Sequence, residues 1–244
     1  MPQKHSQIFY HSGDKKSSSQ AKDYNKTAQC VLRYLAYRDV PNLIKKYVLG
    51  DNALDYGCGT GISTQFLVDQ GFRVTGADVS SEMLIQARLN CPSSDFYLVE
   101  NTSLPSSPKE YDLVFSSFVL FELDSEKAIL NYLNEAKRVM KPDAILIAIA
   151  GSQEMYSKNW LVFDTNFPSN KNLKSGDQAK IFLREANIEF TDFYWTESDY
   201  SRFFKNSQLN LIETIYPLGK KDEPYPWQDE LTSSPFVIFV ARTT

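Results

Sequence analysis

A carboxylate followed by three glycines at alternate positions is the feature of this chain best suited to binding a ligand. Asp55 opens the segment, and Gly57, Gly59 and Gly61 follow it. Glycine adopts backbone conformations that other residues avoid, and it leaves no Cβ between the chain and a ligand. The amide groups of such a turn, and of a helix that starts behind it, point at whatever lies above them. Because the segment starts with an acid, it suits a positively charged amine better than a phosphate.

The glycine spacing separates this segment from dinucleotide-binding loops. Those loops follow the pattern Gly-x-Gly-x-x-Gly, which would place the third glycine at position 62, where this chain has Ile62. A nicotinamide-dependent oxidoreductase is therefore disfavoured. The alternative is a turn that uses its glycines for backbone geometry alone.

A second acid ends the next predicted strand. Asp78 follows an alternating segment and lies 23 positions after Asp55, which accommodates a strand, a crossover helix and a second strand. An acid at this strand tip is placed to accept hydrogen bonds from ribose hydroxyls. The alternative role is a helix N-cap, although Ser80 and Ser81 fill that role better.

These two segments together resemble the class I S-adenosylmethionine-dependent methyltransferases, specifically their small-molecule, type 11-like branch. The matching residues are 54–61 and 75–84. The resemblance implies that S-adenosyl-L-methionine is the cofactor, with S-adenosyl-L-homocysteine as product, and that Asp55 holds its methionine end through the ammonium group, directly or through a water. It also implies a set of contacts in these segments, made by Gly57, Cys58, Gly59, Gly61, Asp78 and Val79.

Further cofactor contacts are implied by the same resemblance. Glu100 and Asn101 lie where the family meets the adenine amino group, although Glu100 replaces the more usual Asp. Met83 either packs on the adenine face or belongs to the core. Ser117 and Phe118 would lie beside the sulfonium and the acceptor, and Tyr24 either closes an N-terminal helix over the cofactor or has a core role.

The sequence names no decisive catalytic base. The family often has a pair of histidines where this chain has Phe121 and Glu122, and its only histidines are His5 and His11. Neither histidine is a convincing base or metal ligand, and no metal site is predicted. The weak candidates for a base are carboxylates and phenols that follow the fourth strand or lie in the second half of the chain: Glu122, Asp124, Tyr156 and Tyr194.

Strand and helix patterns alternate through the middle of the chain and predict an α/β fold. Alternation of this kind gives a parallel sheet with right-handed crossovers. We expect a Rossmann-like, seven-stranded, mostly parallel sheet with helices on both faces and an antiparallel C-terminal strand pair. The predicted strands are residues 52–56, 72–78, 95–99, 111–117, 144–150, 211–216 and 236–241, and the predicted helices of the core are 61–70, 81–90 and 125–140.

Four regions follow from this pattern. They are an N-terminal helical flap at 1–49 with a break at Pro41, a cofactor-binding core at 50–151, an acceptor-covering lid at 152–205, and C-terminal strands at 206–244 that complete the sheet. Within the lid, the sequence predicts a helix over 178–187, a strand over 189–196 and a helix over 197–208.

Composition and charge limit the kinds of partner and compartment expected for this chain. The chain has 244 residues and a formal net charge of −4, which argues against a broad nucleic-acid footprint. The N-terminus lacks the apolar stretch of a signal peptide, and no apolar run reaches membrane-spanning length. Three widely spaced cysteines, at positions 30, 58 and 91, favour a reduced, cytoplasmic setting. Oligomeric state is left open.

The expected function is methyl transfer to a small-molecule acceptor, driven mainly by positioning of donor and acceptor. Amino-methyltransferases of DNA and RNA carry an Asn/Asp-Pro-Pro-aromatic motif after the fourth strand, and this chain has Ser-Ser-Phe-Val there. The alternative is an S-adenosylmethionine-binding protein that acts on a protein acceptor or has no catalytic activity.

Overall fold

The computed structural model describes residues 31–100, 103–184 and 187–243. Two short helices, α1 (Val31–Tyr37) and α2 (Val40–Tyr47), precede the first strand. Pro41 lies in the first turn of α2. A proline is tolerated there because the backbone N–H that it lacks would have no partner within the helix.

A seven-stranded sheet forms the centre of the molecule, with the strand order β3-β2-β1-β4-β5-β10-β9. The first five strands pair parallel, and β10 pairs antiparallel with both β5 and β9. This confirms the predicted fold, including the antiparallel C-terminal pair. The strands are β1 (Asn52–Tyr56), β2 (Arg73–Asp78), β3 (Asp95–Leu98), β4 (Tyr111–Ser117), β5 (Met140–Gly151), β9 (Leu209–Ile215) and β10 (Phe236–Thr243).

Helices cover both faces of this sheet. Side-chain oxygens cap the N-termini of two of them: Ser80 accepts a hydrogen bond from the Met83 amide, and Ser125 accepts one from the Ala128 amide. Separate apolar clusters pack on the two faces. The helices that follow α2 are α3 (Ile62–Asp69), α4 (Ser81–Asn90), α5 (Glu126–Val139) and α6 (Glu197–Asn206).

A second, three-stranded antiparallel sheet follows β5 in the chain, and here one prediction was wrong. Its strands are β6 (Phe163–Asp164), β7 (Gln178–Leu183) and β8 (Ile188–Phe193). The helix predicted over 178–187 is absent, because residues 178–183 form β7 and pair with β8. Ala179, Ile181 and Leu183 are buried at every second position, so alternation and pairing with β8 override the local helical signal.

The described residues lack two features, a membrane-spanning helix and a cluster of metal ligands. No helix among these residues combines the length and apolar character needed to cross a bilayer. The same residues contain no group of three or more histidine, cysteine, aspartate or glutamate side chains arranged to hold a metal ion.

Candidate functional site

The glycine loop turns sharply at the carboxyl end of β1. Gly57, Gly59 and Gly61 have φ values of +83°, +52° and +84°, in the left-handed region that favours glycine. The amides of Gly57 and Cys58 both donate to the carbonyl of Ala77, at 2.7 and 3.0 Å. The loop is thereby held against the end of β2.

The three glycines differ in the space around them. A Cβ on Gly57 would lie 2.3 Å from Val119 Cγ2, and one on Gly61 would lie 2.9 Å from Ala87 Cα. A Cβ on Gly59 would have no neighbour within 4 Å. Close packing therefore requires glycine at the two outer positions, whereas the middle position opens onto free space along the cavity.

Asp78 holds the loop from the tip of β2. Its Oδ2 accepts a hydrogen bond from the Gly59 amide at 2.8 Å, and its Oδ1 accepts one from the Ser80 amide at 2.9 Å. The alternative role weighed from sequence, a helix N-cap, belongs to Ser80. The Asp78 carboxylate is half-buried and lies directly beside the open middle glycine.

Asp55 is fully buried, and it does not line the cavity. Its Oδ2 accepts hydrogen bonds from Ser63 Oγ at 2.7 Å and Thr64 Oγ1 at 2.6 Å. Its Oδ1 has no partner among the described residues. Burial raises the pKa of Asp55 to about 7, although the two hydroxyl hydrogen bonds act in the opposite direction. Because Ser63 lines the cavity, one side chain links this carboxylate to the cavity wall.

We expect the burial of Asp55 to make stability depend on pH. In the folded chain Asp55 keeps its proton up to about pH 7, whereas in the unfolded chain it ionises near 3.8. Its contribution to stability is therefore full below the unfolded pKa and is lost as pH rises to 7. Relative to Asp55→Asn, the wild type should lose roughly 4 kcal/mol of unfolding free energy across that range.

Urea unfolding of both proteins between pH 5 and pH 8 measures the part of this loss that falls above pH 5, about 3 kcal/mol. The unfolding free energy of the wild type, measured relative to that of Asp55→Asn, should be lower at pH 8 than at pH 5. A gap that is constant with pH would contradict a native carboxyl with a raised pKa.

A largely apolar cavity lies over the glycine loop, between the loop and the second sheet. The β7–β8 hairpin supplies one wall, because Ile181 pairs with Phe190 and Ala179 with Asp192, which puts these side chains on one face. The lining residues of the loop, the end of β4 and the covering segments are Gly57, Cys58, Gly59, Thr60, Ile62, Ser63, Ser117, Phe118, Phe121, Glu122, Met155, Phe163, Ile181, Leu183, Phe190, Asp192 and Phe236.

The end of β4 brings two predicted residues to this cavity. Ser117 is the last residue of β4, and Phe118 follows with a φ of +63°. The Phe118 amide donates to the carbonyl of Ile149 at 2.9 Å, and its ring lies 5.2 Å from that of Phe236. The predicted strand end thus lies at the cavity, next to an aromatic partner from β10 that the sequence analysis did not name.

Helix α1 contributes two cavity residues that the sequence prediction missed, Arg33 and Tyr37. The Tyr37 hydroxyl donates to Ser117 Oγ at 2.8 Å, and its ring stacks against that of Phe118 with centroids 6.4 Å apart. Tyr24, the tyrosine predicted either to close an N-terminal helix over the cofactor or to have a core role, lies outside the described residues. The spacing of Arg33 and Tyr37, one helical turn apart, was the signal available in the sequence.

The predicted base candidates are separated in the structure. Glu122 lines the cavity, whereas Asp124 is exposed on the turn that follows. Tyr156 and Tyr194 line a second, more polar crevice, with their rings 5.9 Å apart. Burial raises the pKa of Tyr156 well above its ordinary value, and its hydroxyl has no partner among the described residues.

The remaining predicted contacts do not line the cavity. Gly61 and Asp78 are among them, although Asp78 accepts from the amide of Gly59, which does line the cavity. Val79 is 77% exposed just after β2, Met83 is a buried residue of α4, and Glu100 is exposed after β3. Asn101 lies outside the described residues. Cys58 does line the cavity, and burial raises the pKa of its thiol well above the ordinary value, so the thiol is held neutral.

This arrangement can bind a ligand with two different ends. One end would meet bare backbone at Gly59, whose amide is held by Asp78, and Ser63, which lines the cavity and donates to the buried Asp55. The other end would lie among aromatic and aliphatic side chains under the β7–β8 hairpin, which exclude water.

Comparison with known proteins points to one family. Residues 54–148 match the family model described as a methyltransferase domain. A demethylmenaquinone methyltransferase of Tropheryma whipplei (strain Twist) is 35% identical over 100 residues, which cover 40% of this chain and 41% of that protein. The chain thus matches less than half the length of this curated relative. A malonyl-[acyl-carrier protein] O-methyltransferase of Buchnera aphidicola subsp. Baizongia pistaciae is 33% identical over 172 residues, which cover 66% of this chain and 67% of that protein.

Solved structures share the fold. An S-adenosylmethionine-dependent methyltransferase from Clostridium acetobutylicum ATCC 824 superposes with a TM-score of 0.63 at 16% identity, over 92% of this chain and 97% of that one. One from Mesorhizobium loti has a TM-score of 0.63 at 17% identity, over 86% of this chain and 99% of that one.

Proposed function

Because this chain belongs to the class I S-adenosylmethionine-dependent methyltransferases, we propose that it transfers a methyl group from S-adenosylmethionine to a small-molecule acceptor. The observation that carries the proposal is the bare backbone at Gly59, which opens onto the cavity and whose amide is held by the Asp78 carboxylate. When bound, this cofactor supplies a methyl group on a positively charged sulfur.

Two features of the loop support the fit of this cofactor. The Oδ1 atom of Asp55 is buried without a partner among the described residues, and a buried carboxylate oxygen of this kind is stabilised by a cationic group. The space next to Gly59 accommodates a group that no side chain fills. We assign Asp55 to the ammonium end of the cofactor and Asp78 to its ribose.

The apolar part of the cavity supports a small, largely apolar acceptor. Phe163, Ile181, Leu183 and Phe190 come from the segment that covers the sheet, so they would face the acceptor and not the glycine loop. A poorly hydrated pocket favours this reaction, since positive charge is dispersed as the methyl group leaves sulfur. Glu122, which follows β4, is the predicted base candidate that lines this cavity. We assign it the role of accepting a proton from an acceptor that needs deprotonation.

The names of the relatives span several acceptors. They include a demethylmenaquinone methyltransferase, a malonyl-[acyl-carrier protein] O-methyltransferase and a ubiquinone biosynthesis O-methyltransferase. What these names share is methyl transfer, and the acceptor differs among them.

A two-step experiment tests the proposal. Calorimetric titration with S-adenosylhomocysteine should give saturable binding, while NAD⁺ under the same conditions should give none. Labelled S-adenosylmethionine should then transfer its methyl group to a compound in the low-molecular-weight fraction of a cell extract. Label that enters only protein or nucleic acid would contradict a small-molecule acceptor, and tight binding without transfer to any fraction would contradict catalysis.

A further inference from the structure

The connection between β9 and β10 lies against helix α1, and its residues 216–235 are called the strap below. Glu223 of the strap accepts a hydrogen bond from Arg38 Nη1 at 2.6 Å, just beyond the end of α1. It also accepts hydrogen bonds from Trp227 Nε1 and the Lys220 amide, both at 2.8 Å. The Glu223 and Arg38 side chains are only 8% and 17% exposed, so this ion pair is largely shielded from water.

Aromatic contacts extend this attachment along α1. The Tyr34 ring lies 4.9 Å from that of Tyr225 and 6.4 Å from that of Trp227. Arg38 Nη2 also donates to the Leu218 carbonyl at 2.8 Å. Tyr34 and Arg38 therefore form one face of the α1 segment, which is attached to the strap.

The adjoining face of the same segment carries the cavity residues. Arg33 and Tyr37 each precede one of the strap-contacting residues by a single position, and both line the cavity. Successive residues of a helix are separated by about 100° around its axis. A rotation or displacement of α1 would thus move Tyr37 away from Ser117 Oγ, from which it is 2.8 Å distant.

The strap is itself anchored to the body of the protein. Glu230 is 2% exposed, and its side chain accepts a hydrogen bond from the Leu161 amide at 2.6 Å. Near the end of the strap, the Ser152 amide donates to the Pro235 carbonyl at 2.9 Å. Since both anchors lie on the segment that follows β5, the strap is a fixed support for α1.

We propose that Glu223 is a positioning residue that holds α1 over the cavity through Arg38, so that Tyr37 and Arg33 face the bound cofactor and acceptor. This inference rests on the proposed function. Glu223 lies outside the cavity, so it would raise ligand affinity only through the position of α1. Glu223→Gln removes the charge and keeps the side-chain size, and it leaves the Arg38 guanidinium without its close anionic partner on the strap.

The matched control is Glu213→Gln. Glu213 of β9 likewise joins the N-terminal helices to the C-terminal strands, because it accepts hydrogen bonds from Lys46 Nζ at 2.9 Å and the Tyr47 hydroxyl at 2.6 Å. Those partners belong to α2, whose residues do not line the cavity. Both variants therefore remove a carboxylate that joins an N-terminal helix to the C-terminal part of the chain, and only Glu223→Gln releases α1.

Titration with S-adenosylhomocysteine and hydrogen exchange test the proposal together. We expect Glu223→Gln to raise the dissociation constant at least tenfold and to speed amide exchange in residues 31–37, while Glu213→Gln changes affinity less than twofold. Saturating S-adenosylhomocysteine should restore slow exchange in residues 31–37 of Glu223→Gln, because a ligand that contacts α1 holds the helix in place without the strap.

A second variant tests whether Glu223 acts through its contact with Arg38 and not through a general folding defect. Arg38→Gln breaks the same pair from the helix side, and the double variant should bind no more weakly than the worse single one, because the two residues act as a unit. Unchanged affinity and exchange in Glu223→Gln, or additive losses in the double variant, would overturn the role of Glu223 and leave the proposed function intact. Failure of the wild type to bind S-adenosylhomocysteine would instead overturn the proposed function, and the inference with it.

Discussion

Replacing Gly59 with valine is expected to weaken binding of S-adenosylmethionine more than a hundredfold while leaving the chain folded. A Cβ at this position meets no protein atom within 4 Å, so the new side chain would occupy the space that we assign to the cofactor. The φ of +52° strains a β-branched residue by about 1–2 kcal/mol, which costs some stability without unfolding a domain of this size. Calorimetric titration at a temperature well below the unfolding midpoint measures the loss.

Gly71→Val is the matched control for this variant. Gly71 also has a positive φ, of +93°, and a Cβ there likewise has no neighbour within 4 Å. It lies in the turn between α3 and β2 and does not line the cavity. Gly71→Val should lose at least as much stability as Gly59→Val, because its φ lies further outside the region open to L residues, and only Gly59→Val should lose affinity. Retained binding in Gly59→Val would mean that the loop does not approach the ligand.

Asp78→Ala is the second substitution with a large expected effect, a loss of more than tenfold in affinity for S-adenosylmethionine. The change removes the acceptors of the Gly59 and Ser80 amides, at 2.8 and 2.9 Å, together with the oxygen that we assign to the cofactor ribose. Leaving amides without their charged acceptor typically costs about 1–3 kcal/mol per bond, so we also expect a lower unfolding free energy. Titration and urea unfolding of the same preparation separate the two losses.

Asp78→Asn serves as the isosteric control. It keeps one side-chain oxygen to accept from either amide but has no negative charge, and its affinity should fall between those of the wild type and Asp78→Ala. Wild-type affinity in Asp78→Ala would rule out the proposed ribose contact. Equal losses in the two variants would show that charge, and not hydrogen-bond geometry, sets the affinity.

Local patterns in the sequence were sufficient for the central sheet. β1 and β4 are short apolar segments buried along nearly their whole length, as central parallel strands are, and Ser80 and Ser125 mark helix starts. Strand and helix bounds of the central sheet therefore agree with prediction to within a few residues. The 178–187 segment differs, because its short apolar alternation is ambiguous between helix and strand until a partner strand is known.

Residue types and spacing were thus sufficient to predict the α/β fold and a ligand-binding glycine loop, and the resemblance of residues 54–61 and 75–84 to a known family predicted the family. Each of these depends on backbone conformation and on short-range order. Tertiary structure decided three matters. It buried Asp55 completely beneath the loop, separated Glu122 from Tyr156 and Tyr194, and brought Tyr37 and the β7–β8 hairpin to the cavity. Burial and contacts between segments distant in sequence arise from packing of the whole chain, and no local pattern encodes them.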